Sequence, residues 1–245
     1  MKTEIIITII MLFLGTFLYI NYAPVMPSQG FFKSLKMKVD FTEKGEMKVF
    51  SYANEKELKK LKISKGKFFF DDNNIVLGFN EAQMMKEEKL FSKIGDKINN
   101  FFGVDIVIEG ILRKTNTIID DMHFLSETNF KKIKGNEKIF IKISKEGMPK
   151  LFFTYSLNEK PILKLKEGNL ENYKLTIIDG KKYYPIVIGS DEAQMMISEG
   201  LFKKPGDKID NFFGINVFVV GIVEKTNSIV DMIHFLPLKE SELFN

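Results

Sequence analysis

Cysteine is absent from all 245 residues, which removes disulfides, thiolate nucleophiles and cysteine-ligated metal in one step and leaves the redox compartment undecided. Histidine occurs only twice, at His123 and His234, so a metal centre of three or four converging ligands would need carboxylates to complete it. Basic residues exceed acidic ones by only 36 to 32 and form no arginine-rich block, so nothing points to nucleic acid. The phosphate-loop pattern GxxxxGK(S/T) is missing, and Ser, His and Asp form no nucleophile constellation. An enzyme is therefore not expected, and no cofactor is implied. With 44% apolar and 28% charged residues, the chain has the composition of folded protein. Its length suits two domains of about 110 residues, each with its own core.

Long apolar runs are scarce too, with one exception. Ile5 to Ile20 carries no charge and is flanked by Lys2 and Glu4 before it and by Asn21 to Pro24 after it. At about 1.5 Å per residue this run covers most of a bilayer core, and Ala23, Val25 and Met26 extend it. Residues 1–26 are expected to be a transmembrane signal anchor, with the N-terminus cytoplasmic and the rest of the chain extracytoplasmic at the cell membrane. A cleaved signal peptide is the alternative, although Pro24 is poorly placed beyond a cut after Ala23.

Beyond the anchor, the sequence is written twice. Val76 to Leu125 reappears as Val187 to Leu236 without a gap at an offset of 111, so Glu81 answers to Glu192, Gly95 to Gly206, Phe101 to Phe212 and His123 to His234. A period this long indicates two tandem domains rather than a solenoid. They are placed at 30–130 and 136–245, with a polar, lysine-rich boundary at Glu127 to Glu137. Upstream the copies match more loosely at offsets of 102 to 104, which implies a modest insertion in the second copy before Leu175.

The expected fold class is α+β: an N-terminal transmembrane helix, then two homologous domains, each a mixed or barrel-like small sheet with one or two short helices. Met37, Val39 and Phe41 alternate as a strand, Glu43 to Glu46 is a turn and Met47 to Tyr52 returns. Asn54 to Leu61 reads as a short helix with Leu58 and Leu61 inward, and Lys67 to Phe70 as extended chain after Gly66. Lys138 to Ile143 and Leu151 to Tyr155 repeat the strand pair. Ile75 to Leu77 is a strand, after which Asn80 with Gln83, and Asp191 with Gln194, look like capping boxes. Ala82, Met85 and Leu90 or Phe91 form that helix's buried face, and core packing is the expected use of at least one of Met84 and Met85 and of Met195 and Met196. Gly95-Asp96 and Gly206-Asp207 are tight turns. Val104, Ile106 and Ile108 alternate with Asp105, Val107 and Glu109 as a half-buried strand, and Ile118 to Leu125 is the last strand.

Gly66 to Phe69, Asn74 to Gly78 with Ala82, Gly95 to Ile98, Val107 to Leu112, Lys114-Thr115, Asp120 and Phe124-Leu125 together resemble the extracytoplasmic core domain of the macrolide-exporter and lipoprotein-releasing class of ABC transporter permeases. The second copy resembles it through Gly180-Lys181, Ile186 to Gly189, Ala193, Gly206 to Ile209, Phe218 to Val223, Lys225-Thr226, Asp231 and Phe235 to Pro237. The resemblance implies a membrane-anchored module outside the cell, partnered by the permease and ATP-binding subunits of a transporter. The family carries the motif once per core domain and places three more transmembrane helices after it, whereas this sequence holds the motif twice and has one apolar span.

Two candidate sites stand out. His123 and His234 each follow an aspartate by three residues, Asp120 and Asp231, but positions three apart on a strand face opposite ways. A strand-end imidazole bonded to backbone is favoured over a metal or general-base role. The second candidate is a contact surface at Phe218, Val220 and Met232, where the second copy puts a larger apolar side chain at the place of Val107 and apolar ones in place of Glu109 and Asp121. It would meet the first domain, a second subunit or another protein, and self-association of an envelope protein is one form of that reading.

Overall fold

The computed structural model describes residues 27–43, 46–53, 55–68, 73–136, 138–154 and 163–237. The expected anchor at 1–26, part of the turn at 43–46 and the end of the stretch Lys67 to Phe70 lie outside the described residues. Among the described residues no helix is long and apolar enough to cross a membrane.

The chain is α+β, with two mixed sheets and few helices. The first sheet takes β1 (Lys36–Phe41), β2 (Met47–Tyr52), β3 (Ile63–Gly66), β4 (Asn74–Leu77), β5 (Lys97–Phe101), β6 (Val104–Leu112) and β7 (Met122–Leu125). Its order is β1-β2-β7-β4-β6-β3, with β5 added on β6. The second takes β8 (Ile139–Ile143), β9 (Pro149–Thr154), β10 (Leu165–Gly168), β11 (Thr176–Ile178), β12 (Lys181–Ile188), β13 (Lys208–Phe212), β14 (Ile215–Val223) and β15 (Ile233–Leu236). Its order, β8-β9-β15-β12-β14-β10 with β13 on β14, repeats the first strand for strand. The directions repeat as well: β2 with β7 and β9 with β15 are parallel, while β4 with β7 and β12 with β15 are antiparallel. The sequence duplication is thus a duplication of topology. The residues added to the second copy lie between β10 and β12 and run past Leu175, where the sequence placed their end: a 3₁₀ turn at Leu170–Asn172 and the extra strand β11, which pairs with β12.

Strand alternation decides how the layers stack. On β7, Met122 and Phe124 point to one face, where they join a core that also draws Val49 and Val76 from the first sheet and Leu151, Val187 and Phe235 from the second. Leu125 points to the other face, into a separate cluster with Ile75, Leu77, Ile106 and Ile108. That cluster includes Ala82 and Met85 of the helix Phe79–Glu87, and the helix Ser190–Ser198 covers the second sheet in the same way through Ala193 and Met196. The order is helix, sheet, sheet, helix, with a shared apolar layer in the middle.

Several local expectations hold. β6 buries Val104, Ile106 and Ile108 and leaves Asp105 exposed, Leu58 and Leu61 point inward, and Met85 and Met196 are buried. Others are corrected. Ile63–Gly66 is a strand paired with β6, since Gly66 lies against the backbone of Glu109 with a positive φ. The stretch Ile118 to Leu125 is not one strand: Ile118–Asp121 is a 3₁₀ turn, capped by the Thr117 side chain, and the strand starts at Met122. Within the boundary stretch Glu127 to Glu137, the helix Glu127–Lys132 buries Phe130, and Ile133 follows it into the first repeat's outer cluster.

Candidate functional site

The capping boxes are corrected too, and that correction builds the site. The cap residue is Gly78 in one copy and Gly189 in the other, with no side-chain cap bond in either. A Cβ at Gly78 would collide with the carbonyl oxygens of Ile119 and Asp120, so only glycine lets the strand end pass this close to the 3₁₀ turn. The helix therefore starts one residue after the cap, with Glu81 in its first turn and directed at the sheet.

Three ionisable side chains meet there in each repeat. Lys48 on β2 donates to Glu81 Oε1 at 3.0 Å, and His123 Nε2 on β7 lies 3.1 Å from the same oxygen. All three are buried, with exposures of 4%, 3% and 0%. In the second repeat Lys150 Nζ lies 2.6 Å from Glu192 Oε1, and His234 Nε2 lies 3.3 Å from it. Each imidazole Nδ1 is 3.1 Å from a neighbouring strand's carbonyl, that of Val49 or Leu151, which is the backbone bond expected from the sequence. The Nε2 approach to glutamate is close but poorly aligned for a hydrogen bond. Aromatic rings enclose the imidazoles, with Phe50 at 5.0 Å from His123 and Phe152 stacked at 4.7 Å on His234. Burial pushes the Glu81 carboxyl up, but His123 and then Lys48 more than offset it and hold it at about 2. Glu192 is lowered by the same balance.

Above each triad opens a pocket, and the two pockets have the same walls. The first encloses about 580 Å³ and the second about 400 Å³. Lys48, Glu81 and Met85 line the first floor; Lys150, Glu192 and Met196 line the second. Leu90, Ile98, Phe101 and Phe102 in one answer to Leu201, Ile209, Phe212 and Phe213 in the other. Phe102 and Phe213 have positive φ of 51°, each followed by a glycine of positive φ, so the tight β5–β6 and β13–β14 turns carry a phenylalanine where glycine or asparagine is the comfortable choice. Its ring is 5.0 Å from that of Phe101 or Phe212. Ten of the fifteen positions lining the first pocket hold the same residue in the second, so the two cavities present nearly the same chemistry.

The sequence-derived candidates separate. Asp120 and His123 do not act together: Asp120 accepts from the Thr115 and Asn116 amides and the Thr115 hydroxyl, fixing the loop before the 3₁₀ turn, while His123 belongs to the triad. Asp231 does the same with Thr226 and adds Lys225 at 3.0 Å. Among the described residues no three His, Asp or Glu are grouped to hold a metal ion. Burial raises the Asp120 carboxyl, whereas at Asp231 burial is outweighed by the Thr226 bonds and Lys225; Lys114, the counterpart of Lys225, sits over the Phe79 ring instead. Val220 is buried in the central layer, and Phe218 and Met232 pack half-buried against it, so this face is used between the repeats rather than offered to solvent. The triads were missed because their members are far apart in sequence. The signal was present: Lys48 stands among Met47, Val49 and Phe50, and Lys150 stands at the matching place, an odd position for a lysine twice over.

No family model matches the chain, no curated protein matches it, and no solved structure matches its fold.

Proposed function

We propose that the chain is a non-enzymatic binding module, carried outside the cell on an N-terminal membrane span, that holds small ligands or a partner's side chains in two equivalent pockets as an accessory of an ABC-type envelope transport complex. The observation that carries it is the duplicated pocket, an apolar cleft in the size range of ligand sites with a few fixed polar groups at its base. The triads lack a free nucleophile, and their histidines are sealed behind phenylalanine rings, which suits a rigid floor better than proton transfer to a substrate. The accessory role rests on the apolar run at 5–20 and on the resemblance to permease core domains.

Met85 and Met196 make binding measurable. With ¹³C-methyl methionine, a ligand screen is expected to yield compounds that shift both methyl signals together and are recovered unchanged. A screen that moves neither signal sinks the binding reading, and a ligand recovered chemically altered overturns its non-enzymatic half. Placement is tested separately. The chain has no cysteine, so a single Glu43→Cys substitution in intact cells should react with a membrane-impermeant maleimide before lysis. Labelling only after lysis would place the module inside.

A further inference from the structure

We infer that both pockets select an organic cation, an ammonium group on an apolar body, over neutral or anionic molecules of the same shape. The inference rests on reading the pockets as binding sites. The chain as a whole carries a formal charge of +4, yet among the described residues the charged side chains lining the first pocket are Glu43, Glu46, Glu81 and Glu88 against Lys48. Lys48 is committed to Glu81, which leaves three exposed carboxylates at the mouth. Among the described residues, four acidic side chains face two lysines in the second pocket; Lys150 is committed to Glu192, and Asp210 is paired with Lys181 at 3.5 Å. Lysines of the neighbouring helix do not repair this imbalance, since Lys86 and Lys89 line a different concavity together with Lys97.

The apolar part of the ligand is indicated independently. Six large hydrophobic residues are exposed among the described residues, and four of them, Phe41, Leu90, Met148 and Leu201, stand at these two mouths. A ligand that covers them gains apolar burial whatever its charge. Its charge then decides selectivity, because a cation at the rim meets carboxylates beside the Phe102 or Phe213 ring while remaining partly hydrated, whereas an anion meets an excess of negative charge at each mouth. The copies also differ in a way that sets an order: Glu43 and Glu46 are replaced by Lys145 and Met148, so the first pocket should bind the cation more tightly.

The test uses the full chain with ¹³C-methyl methionine and three probes sharing one tail: octyltrimethylammonium, octanol and octanoate. The ammonium is expected to shift Met85 and Met196, to bind tighter at Met85, and to exceed octanol by about threefold for each uncompensated carboxylate. The triple variant Glu43→Gln, Glu46→Gln and Glu88→Gln, all at exposed positions, should lose this advantage at Met85 and leave octanol binding and the Met196 signal as they were. Octanol or octanoate matching the ammonium at Met85, or an unweakened ammonium in the triple variant, overturns the cation preference and leaves the pockets standing as binding sites. If none of the three probes moves either methyl signal, the binding reading falls with it.

Discussion

At the scale of single residues, two carboxyl groups make opposite demands on pH. Glu81 is held at about 2 against an ordinary 4.5, so its contribution to stability is complete above the unfolded value and drains away as pH falls from 4.5 towards 2. Replacing it with Gln leaves Lys48 and His123 buried without their anion, at a cost of about 3 to 5 kcal/mol in urea unfolding at pH 7. Asp121 goes the other way. Burial, with Asp120, Glu81 and the second repeat's Asp231 adding to it, pushes it from 3.8 to about 7 despite a hydrogen bond donated by Asn80. The folded state therefore keeps this proton where the unfolded chain releases it, and stability from this group falls as pH rises from 3.8 to about 7. Asp121→Asn should stabilise the protein at pH 8 by about 1 to 2 kcal/mol and change little at pH 4; equal effects at both pH values would refute the assignment. Neither group could be sorted from sequence by its neighbours. Asp121 stands beside Asp120 in a stretch that reads as strand, and only the 3₁₀ turn turns one carboxylate into loop amides and the other towards Asn80.

At the scale of elements, periodicity revealed most of what is regular and little of what is special. β6 is legible because its alternation is determined by which face is buried. The helix start at Gly78 was hidden behind Asn80, a good capping residue, because the collision that demands glycine comes from a turn about forty residues away in sequence. The turn between β5 and β6 is the element that shapes the pocket. Phe101 is buried and half of the aromatic wall depends on it, so Phe101→Ala should cost about 3 to 4 kcal/mol. Phe102→Asn is different in kind: asparagine accepts the left-handed backbone that phenylalanine adopts under strain, which offsets part of the lost packing. A stability loss below about 1.5 kcal/mol is expected, with clearly weaker ligand shifts at Met85. Comparable losses for the two variants would show that Phe102 serves the core and not the pocket.

At the scale of the molecule, duplication was plain in the sequence but the way the copies combine was not. Two chains of identical pattern can fold as separate beads or share a core, and composition does not distinguish these. The deciding residues are those on the inward face of each sheet, Val49, Val76 and Phe124 from one and Leu151, Val187 and Phe235 from the other, which form one layer. Val220, where the first copy has Glu109, shows the asymmetry this requires: Glu109 reaches Lys67 at 3.3 Å at the edge of its sheet, while Val220 is covered. A shared layer couples the stabilities of the halves, since neither sheet can expose its inward face without exposing the other's. Phe235→Ala should then cost about 3 to 5 kcal/mol and speed hydrogen exchange in β2 and β7 of the first repeat as well as in β9 and β15 of its own. Outward-facing Leu125, whose cluster belongs to the first repeat alone, supplies the contrast: Leu125→Ala should loosen the first repeat's outer layer before it reaches the second sheet. If Phe235→Ala leaves exchange in β2 and β7 unchanged, the repeats are energetically independent, and the two pockets would have no route by which filling one changes the other.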